Sequence, residues 1–316
     1  MTDIITSPKK NLIIDASVFS TFMACPRLMD FRYNHSFMST HGKSNSLEVG
    51  SLVHKVLEVF YKHLIAGFRR DAAIGQGLVA GQLYISGCPF CADFTVDKPQ
   101  CKHEPGEYPG LRNTPEETDS KNVGWAWALK TCEQYFDHYK NDFWIPLAVE
   151  TVKGEVLYED DEIRILWKAK LDLVVDTNQG IYPVDHKTMK QRRAKTKLNN
   201  QFIGQCLVMK TRGVFINKIG FQTSLKPEER FVRELVPYSA DALLEWQSET
   251  LPYYAYKLLQ HSEAEYWPPD YTHCDTMYGP CIFKDVCEAN KDMRVEVLRN
   301  DYEVGRKWDP SNMEEE

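Results

Sequence analysis

Two short segments carry the most reactive arrangement of side chains in the sequence. Leu171-Asp172-Leu173-Val174-Val175 is followed by Val184-Asp185-His186-Lys187-Thr188, and each sets an acidic residue in a strand-like apolar run. Side chains at i and i+2 of a strand share a face, so Asp185 and Lys187 point the same way and His186 points away from them. An ionised carboxylate among Leu and Val is costly unless its charge is compensated. A divalent cation compensates it, and two carboxylates with an ammonium converging on one point suit metal-assisted hydrolysis of a phosphodiester. Mg²⁺ takes a few carboxylates plus water and phosphate oxygens, and an imidazole from His54 would shift the preference toward Mn²⁺. In that chemistry Lys187 orients the attacking water or stabilises charge developing on the phosphate. Taken singly, Asp185 with Lys187 could be an edge-strand ion pair, Asp172 a turn cap and His54 a core histidine. Their conjunction is what points to metal chemistry.

A basic track follows the second segment, with Lys190, Arg192, Arg193, Lys195 and Lys197 close together. It is either a solvated loop or a set of phosphate contacts beside the metal. The net charge of -7 argues against a protein that coats nucleic acid by bulk attraction, but not against a local basic groove. No apolar run reaches the roughly 18 residues needed to span a bilayer, and the N-terminus lacks the layout of a secretory signal. The expectation is an intracellular protein, cytoplasmic or in another reducing compartment.

Nine cysteines in such a chain favour metal binding over disulfides. Cys274, Cys281 and Cys287 supply three thiols near the C-terminus, and Cys25, in Met23-Ala24-Cys25-Pro26-Arg27, is the natural fourth. A set of four suits a tetrahedral ion or a cubane cluster, and spacing alone leaves zinc and iron–sulfur both open. Cys88, Cys91, Cys101 and His103 form a separate Cys₃His set suited to structural zinc, in a segment with too few apolar residues to order itself unaided. Cys132 and Cys206 sit in helix-like runs and read as inert core thiols.

The elements that must hold these groups can be read coarsely. Asp15 or Ser17 caps a first helix through about Tyr33, with Cys25 near its middle. A second helix runs from Leu47 to Tyr61, where Val49, Leu52, Val53, Val56, Leu57 and Phe60 recur at helical spacing and His54 and Glu58 share another face. From about Gly75 to Asn122 the periodicity is lost, as in an insertion. A helix then spans about Trp125 to Tyr139. Strands are expected near Ala148–Tyr158, Ile163–Val175 and Gly180–His186, a helix over Leu198–Lys210, two further strands at Val214–Thr223 and Arg230–Pro237, and a long helix capped by Ser239 through about Gln260. This order makes an α/β fold with a mixed central sheet flanked by helices, the acidic residues on its inner strands. The expected organisation is N-terminal helices (1–74), a zinc-binding insertion (75–122), a catalytic core (123–265), and a cysteine segment with an acidic tail (266–316).

The pieces resemble the PD-(D/E)XK nuclease superfamily, in particular its RecB-like branch, akin to the CRISPR-associated exonucleases, that carries an iron–sulfur cluster. The resemblance rests on Gly50-Ser51-Leu52-Val53-His54 with Glu58, on Leu171-Asp172, on Val184-Asp185-His186-Lys187-Thr188 and on Gln201-Phe202-Ile203-Gly204-Gln205. The familiar last motif ends in tyrosine where this chain has Gln205. The resemblance implies a restriction-endonuclease-like core and Mg²⁺- or Mn²⁺-dependent cleavage of DNA, with His54, Asp172, Asp185, Lys187 and Gln201 at the active site. It also implies a 4Fe–4S cluster on Cys25, Cys274, Cys281 and Cys287, although the Cys274-to-Cys281 gap is longer than the usual form. The implied activity is that of an exonuclease in DNA processing, recombination or replication, with a helicase or recombinase as a candidate partner. The rival reading is an iron–sulfur subunit or scaffold that binds DNA without cutting it.

Overall fold

In a computed structural model of the chain, residues 9–40, 44–86, 111, 113–189, 198–276 and 279–305 are described. The chain opens with β1 (Lys10–Asp15), α1 (Ala16–Ala24), a short α2 (Pro26–Met29) continued by a π-helical turn over Asp30–Asn34, and β2 (Phe37–Ser39). Next come α3 (Asn45–Ile65), α4 (Arg70–Ser86) and α5 (Trp125–His138). The central run is β3 (Ile145–Glu159), β4 (Ile163–Thr177), β5 (Gly180–Met189), α6 (Asn200–Met209), β6 (Gly213–Gly220), α7 (Pro227–Arg230) and β7 (Phe231–Pro237). After it come α8 (Ala240–Glu245) and α9 (Leu251–Glu263), joined by a π-helical turn over Trp246–Thr250. The C-terminal part holds the hairpin β8 (Asp275–Thr276) and β9 (Gly279–Pro280), then α10 (Lys284–Glu288), α11 (Arg294–Asp301) and β10 (Tyr302–Val304).

The sheet is mixed, in the order β1-β4-β5-β6-β7, with β3 against β4 as well. One edge of β4 is paired with β3 along most of its length. The other edge changes partner: β1 lies parallel to Ile163–Lys168, and β5 lies antiparallel to Leu173–Thr177. Between them, residues 169–172 have no ladder partner on that edge among the described residues, so the sheet forks. Two cores meet there. One, under α3 and α5, takes Leu173, Val175 and Val184; the other, under α6 and α8–α9, takes Ile165, Trp167, Ala169 and Leu171. The odd-numbered side chains of β4 therefore enter one core up to Leu171 and the other from Leu173, and the switch falls at Asp172.

The α/β class and the mixed sheet flanked by helices agree with the sequence reading. Three local expectations are corrected. The helix expected from Asp15 to Tyr33 is broken at Cys25, whose backbone is extended and is followed by Pro26; a residue before proline is pushed out of the helical region. The stretch from Gly75 lacks an apolar period, as read, yet it is helical: α4 runs on to Ser86. Its glycines are contact points rather than breakers: a Cβ at Gly77 would stand 2.8 Å from the Val56 carbonyl, and one at Gly81 2.7 Å from Val56 and Leu129. Small residues let α4 approach α3 at close range. The third is β1, which the sequence reading missed. Its apolar part, Leu12-Ile13-Ile14, is too short to show a period, and its pairing with β4 is wholly non-local.

The turn from β3 to β4 is held by one carboxylate. Asp160 accepts the backbone N–H groups of Glu162 and Ile163 and the hydroxyls of Tyr158 and Tyr256, each at 2.8 Å. Loss of hydration opposes its charge, but these hydrogen bonds, led by the Ile163 N–H and the Tyr256 hydroxyl, pull its pKa down to about 2. Because the folded pKa lies below the unfolded value of about 3.9, the stabilisation is present above that value and is lost as pH falls toward 2. Asp160→Asn should lower the melting temperature at neutral pH, and the gap to the wild type should close between about pH 4 and pH 2. Thermal melts across that range would disprove the assignment if the gap did not change with pH.

Candidate active site

The carboxylate at the fork is Asp172. Its Oδ2 accepts the backbone N–H of His186 at 2.8 Å, which bridges β4 to β5 one step beyond the last ladder pair, Leu173 with Val184. The His54 ring reaches it from α3. His54 Nε2 lies 3.0 Å from the His186 carbonyl, and Nδ1 lies 3.7 Å from Asp172 Oδ2. With Nε2–H donating to that carbonyl, Nδ1 keeps its lone pair for a metal. Burial pushes the Asp172 carboxyl up to about 6; His54 opposes the rise, and Asp185 and Glu150 add to it. This is a carboxylate in want of a cation.

Glu150 is the residue the sequence reading missed. It lies across from Asp172, between the pairs Val149 with Leu173 and Thr151 with Leu171. Its φ of 51° is in the left-handed region, a strained value for a non-glycine residue that is often found at functional sites. Glu150 Oε2 is paired with Lys170 Nζ at 2.5 Å. Ligand atoms of His54, Glu150 and Asp172 all lie within 4.8 Å of one another, a span that would let them share one divalent ion. The available signal was the glutamate in the apolar run Leu147-Ala148-Val149-Glu150-Thr151-Val152.

Asp185 belongs to the adjoining half. It is 1% exposed, its Oδ2 lies 2.7 Å from Lys187 Nζ, and its Oδ1 accepts Gln201 Nε2 at 2.7 Å. The Lys187 contact is an ion pair out of hydrogen-bonding line, so Oδ2 makes no hydrogen bond despite its burial. A bound cation would satisfy that oxygen. Lys187 also lies over the Phe202 ring, 5.7 Å from its centroid. His186 faces away, as expected. Its Nδ1 accepts Asn217 Nδ2 at 2.8 Å, Tyr61 stacks on it at 6.0 Å, and burial drives its imidazole well below the usual histidine range. It is therefore a neutral wedge that fixes the carbonyl orienting His54. The structure thus places Asp172 with His54 and Glu150, Asp185 with Lys187 and Gln201, and the two groups side by side. Glu58, the helical neighbour of His54, is instead paired with Lys55 and Lys62.

The four cysteines expected to form one site do face one cavity. Cys25 stands at the break after α1, Cys274 and Cys281 flank the β8–β9 hairpin, and Cys287 is on α10. Cys25 Sγ accepts the Asp270 N–H at 3.3 Å, and Arg27 approaches Cys287 Sγ at 3.9 Å. Burial, then neighbouring thiols, push the Cys274 thiol up; burial and the other three cysteines also raise Cys281. In the absence of a bound cation, this crowding favours the protonated thiols. A single tetrahedral zinc with bonds of about 2.3 Å draws its sulfurs to about 3.8 Å apart. Among the described residues, no three of these sulfurs lie within 4.8 Å of one another.

The sequence matches the family model of the PD-(D/E)XK nuclease superfamily over residues 15–288, a span that includes every residue of both sites. The chain belongs to that superfamily. No curated protein matches the sequence. Among solved structures, a candidate exonuclease from Eubacterium rectale is similar at 13% identity, with a TM-score of 0.45, over 88% of this chain and 94% of that one.

In this PD-(D/E)XK nuclease, Cys88, Cys91, Cys101 and His103 lie outside the described residues, as do Lys190, Arg192, Arg193, Lys195 and Lys197. None of the described helices is long and apolar enough to cross a membrane. The expected outcome at the new position is direct. Glu150→Gln should weaken Mn²⁺ binding by at least about tenfold while leaving the melting curve near that of the wild type. Calorimetric titration with Mn²⁺ checks it; unchanged affinity would remove Glu150 from the ligand set.

Proposed function

We propose that this nuclease is a Mg²⁺- or Mn²⁺-dependent deoxyribonuclease that acts as an exonuclease in DNA processing, recombination or replication. The observation that carries the reading is the convergence at the fork of His54, Glu150 and Asp172 with Asp185, Lys187 and Gln201. His54, Glu150, Asp172 and Asp185 would hold the ion. When bound, a divalent ion supplies Lewis acidity and lowers the pKa of a ligated water. The residues do the rest. Gln201 fixes the Asp185 carboxylate, and Lys187 holds a positive charge at its side, where it can steady charge that grows on a phosphate oxygen. Lys190, Arg192, Arg193, Lys195 and Lys197 follow in sequence and would track the phosphate backbone.

DNA as substrate is supported by the resemblance to the RecB-like branch. The alternative, an iron–sulfur subunit or scaffold that binds without cutting, is disfavoured because buried carboxylates beside DNA repel phosphate unless a cation sits between them. We assign a 4Fe–4S cluster to Cys25, Cys274, Cys281 and Cys287 on the resemblance and on the four thiols that line one cavity, and give it a structural role in fastening the two ends of the chain. Cys88, Cys91, Cys101 and His103 would hold zinc, a reading that rests on their spacing. A helicase or recombinase remains the class of partner to seek.

Purified chain should degrade end-labelled DNA with Mg²⁺ or Mn²⁺ and not in chelator, and Asp185→Ala should reduce the rate by roughly a hundredfold or more without unfolding the protein. Robust cleavage by that variant would take Asp185 out of the mechanism. Comparing 5′- and 3′-labelled single and double strands separates exonuclease from endonuclease action. Protein purified anaerobically should be brown and yield iron and acid-labile sulfide in equal amounts. Recovery of zinc alone, bound at Cys25 and the C-terminal cysteines, would sink the cluster.

A further inference from the structure

The fork opens into a second space beside the catalytic residues. A cavity of about 400 Å³ extends from Lys170 and Gln201 to the start of α1 at Ser17 and Ser20. Two buried groups on its wall are unsatisfied. Gln205 is 1% exposed, and neither its amide oxygen nor its amide nitrogen has a hydrogen-bond partner among the described residues. Trp167 is fully buried, and its indole N–H is likewise unpartnered. Groups in this state are destabilising unless something that visits the cavity satisfies them. The α6 backbone is held close at this point, since a Cβ on Gly204 would come within 2.3 Å of Trp167 Nε1.

The walls point to a neutral ligand. Asp15 and Lys168 carry opposite charges at one register position of the parallel β1–β4 ladder, and Lys170 is committed to Glu150. Both helix N-termini at the cavity are capped from within: Asp15 accepts the Val18 N–H, and Asn199 accepts the Gln201 N–H. Among the described residues that line it, each lysine has an acidic neighbour, which disfavours recruitment of an anion. What remains is the Gln205 amide, which carries a donor and an acceptor side by side. That is the complement of a nucleobase edge, as when glutamine pairs with adenine. The placement also fits. Gln201 and Gln205 are one helical turn apart, about 5.4 Å, and Gln201 is bonded to Asp185. That separation is comparable to the offset between a nucleotide's phosphate and its base.

We propose that the fork cavity receives the nucleobase of the nucleotide beside the scissile linkage, and that Gln205 is a specificity-determining residue that hydrogen-bonds its edge. The proposal rests on the deoxyribonuclease reading above. A base leaves its stack most cheaply at an end or in a single strand, so the pocket suits a terminal or frayed nucleotide.

The test uses the full chain with Mg²⁺ and a single-stranded oligonucleotide in which one abasic residue is moved stepwise past the cleaved bond. In the wild type, one abasic position should raise KM by about tenfold and change kcat little. Gln205→Leu and Gln205→Met should raise KM on intact DNA by a similar factor and no longer sense that abasic position. Both variants should melt at or above the wild-type temperature, because the amide they lose has no protein partner. Free adenosine should give a saturation-transfer NMR signal with the wild type that the Leu variant lacks. A flat abasic series in a wild type that cuts, or an undiminished abasic penalty in the variants, overturns the base pocket alone. A wild type that cuts no DNA removes the deoxyribonuclease reading and the pocket with it.

Discussion

A carboxylate withdrawn from water must find a cation or a proton, and β4 puts one at the point where it exchanges β1 for β5. Without a cation the balance moves toward the proton, which is why burial carries the Asp172 carboxyl up to about 6. The strand can bear this cost because Leu171 and Leu173 on either side are fully buried. Each such side chain contributes about 1.5–3 kcal/mol, against a desolvation cost of several kcal/mol for an unpaired ion. The two terms are of similar size, so the site is tolerable without metal and gains strongly from it. The two leucines also enter different cores, so Asp172 is clamped from both sides of the sheet.

The clamp explains why the site draws on elements far apart in sequence. His54 comes from α3 in one core, and Gln201 from α6 in the other. Their partners, Asp172 and Asp185, stand on adjacent strands between those cores. A second tie runs along α1. Its first residue follows Asp15 at the fork, and its last precedes Cys25 at the cysteine cavity. Nine helical residues span about 13.5 Å, so the helix that walls the fork ends at the cysteine cavity. The antiparallel pair β2 and β10 fastens the same two ends of the chain independently.

Much of this was legible in the sequence because it is local. The run Val184 to Thr188 encodes its own geometry: alternation alone sends Asp185 and Lys187 to one side and His186 to the other, where Asn217 and Tyr61 receive it. The amphipathic stripe of α3 likewise implied the face on which His54 would lie. Glu150 was not legible as a ligand, since its role depends on a register across β3 and β4 and on a left-handed backbone that no propensity foretells. The strand β1 and the fork it creates were invisible for the same reason. The glycines of α4 misled because, in sequence, a glycine that permits close approach looks the same as one that ends a helix.

Local rules are broken most densely where the sheet divides. Asp185 Oδ2, His186 Nε2, Trp167 Nε1 and both amide atoms of Gln205 are buried without hydrogen bonds, and Glu150 holds a strained backbone beside them. A chain selected for stability alone would place apolar groups at such positions, since replacing an unsatisfied polar group with an apolar one of similar shape is neutral or favourable. These departures have different chemistry. The carboxylate oxygen faces the Lys187 ammonium and suits a second cation beside it, and the Gln205 amide suits a neutral hydrogen-bonding partner. A cation and a flat polar ligand side by side are what a metal-bound phosphate and its own base present. On the deoxyribonuclease reading, these groups would meet the two ends of one nucleotide across two strands and a helix.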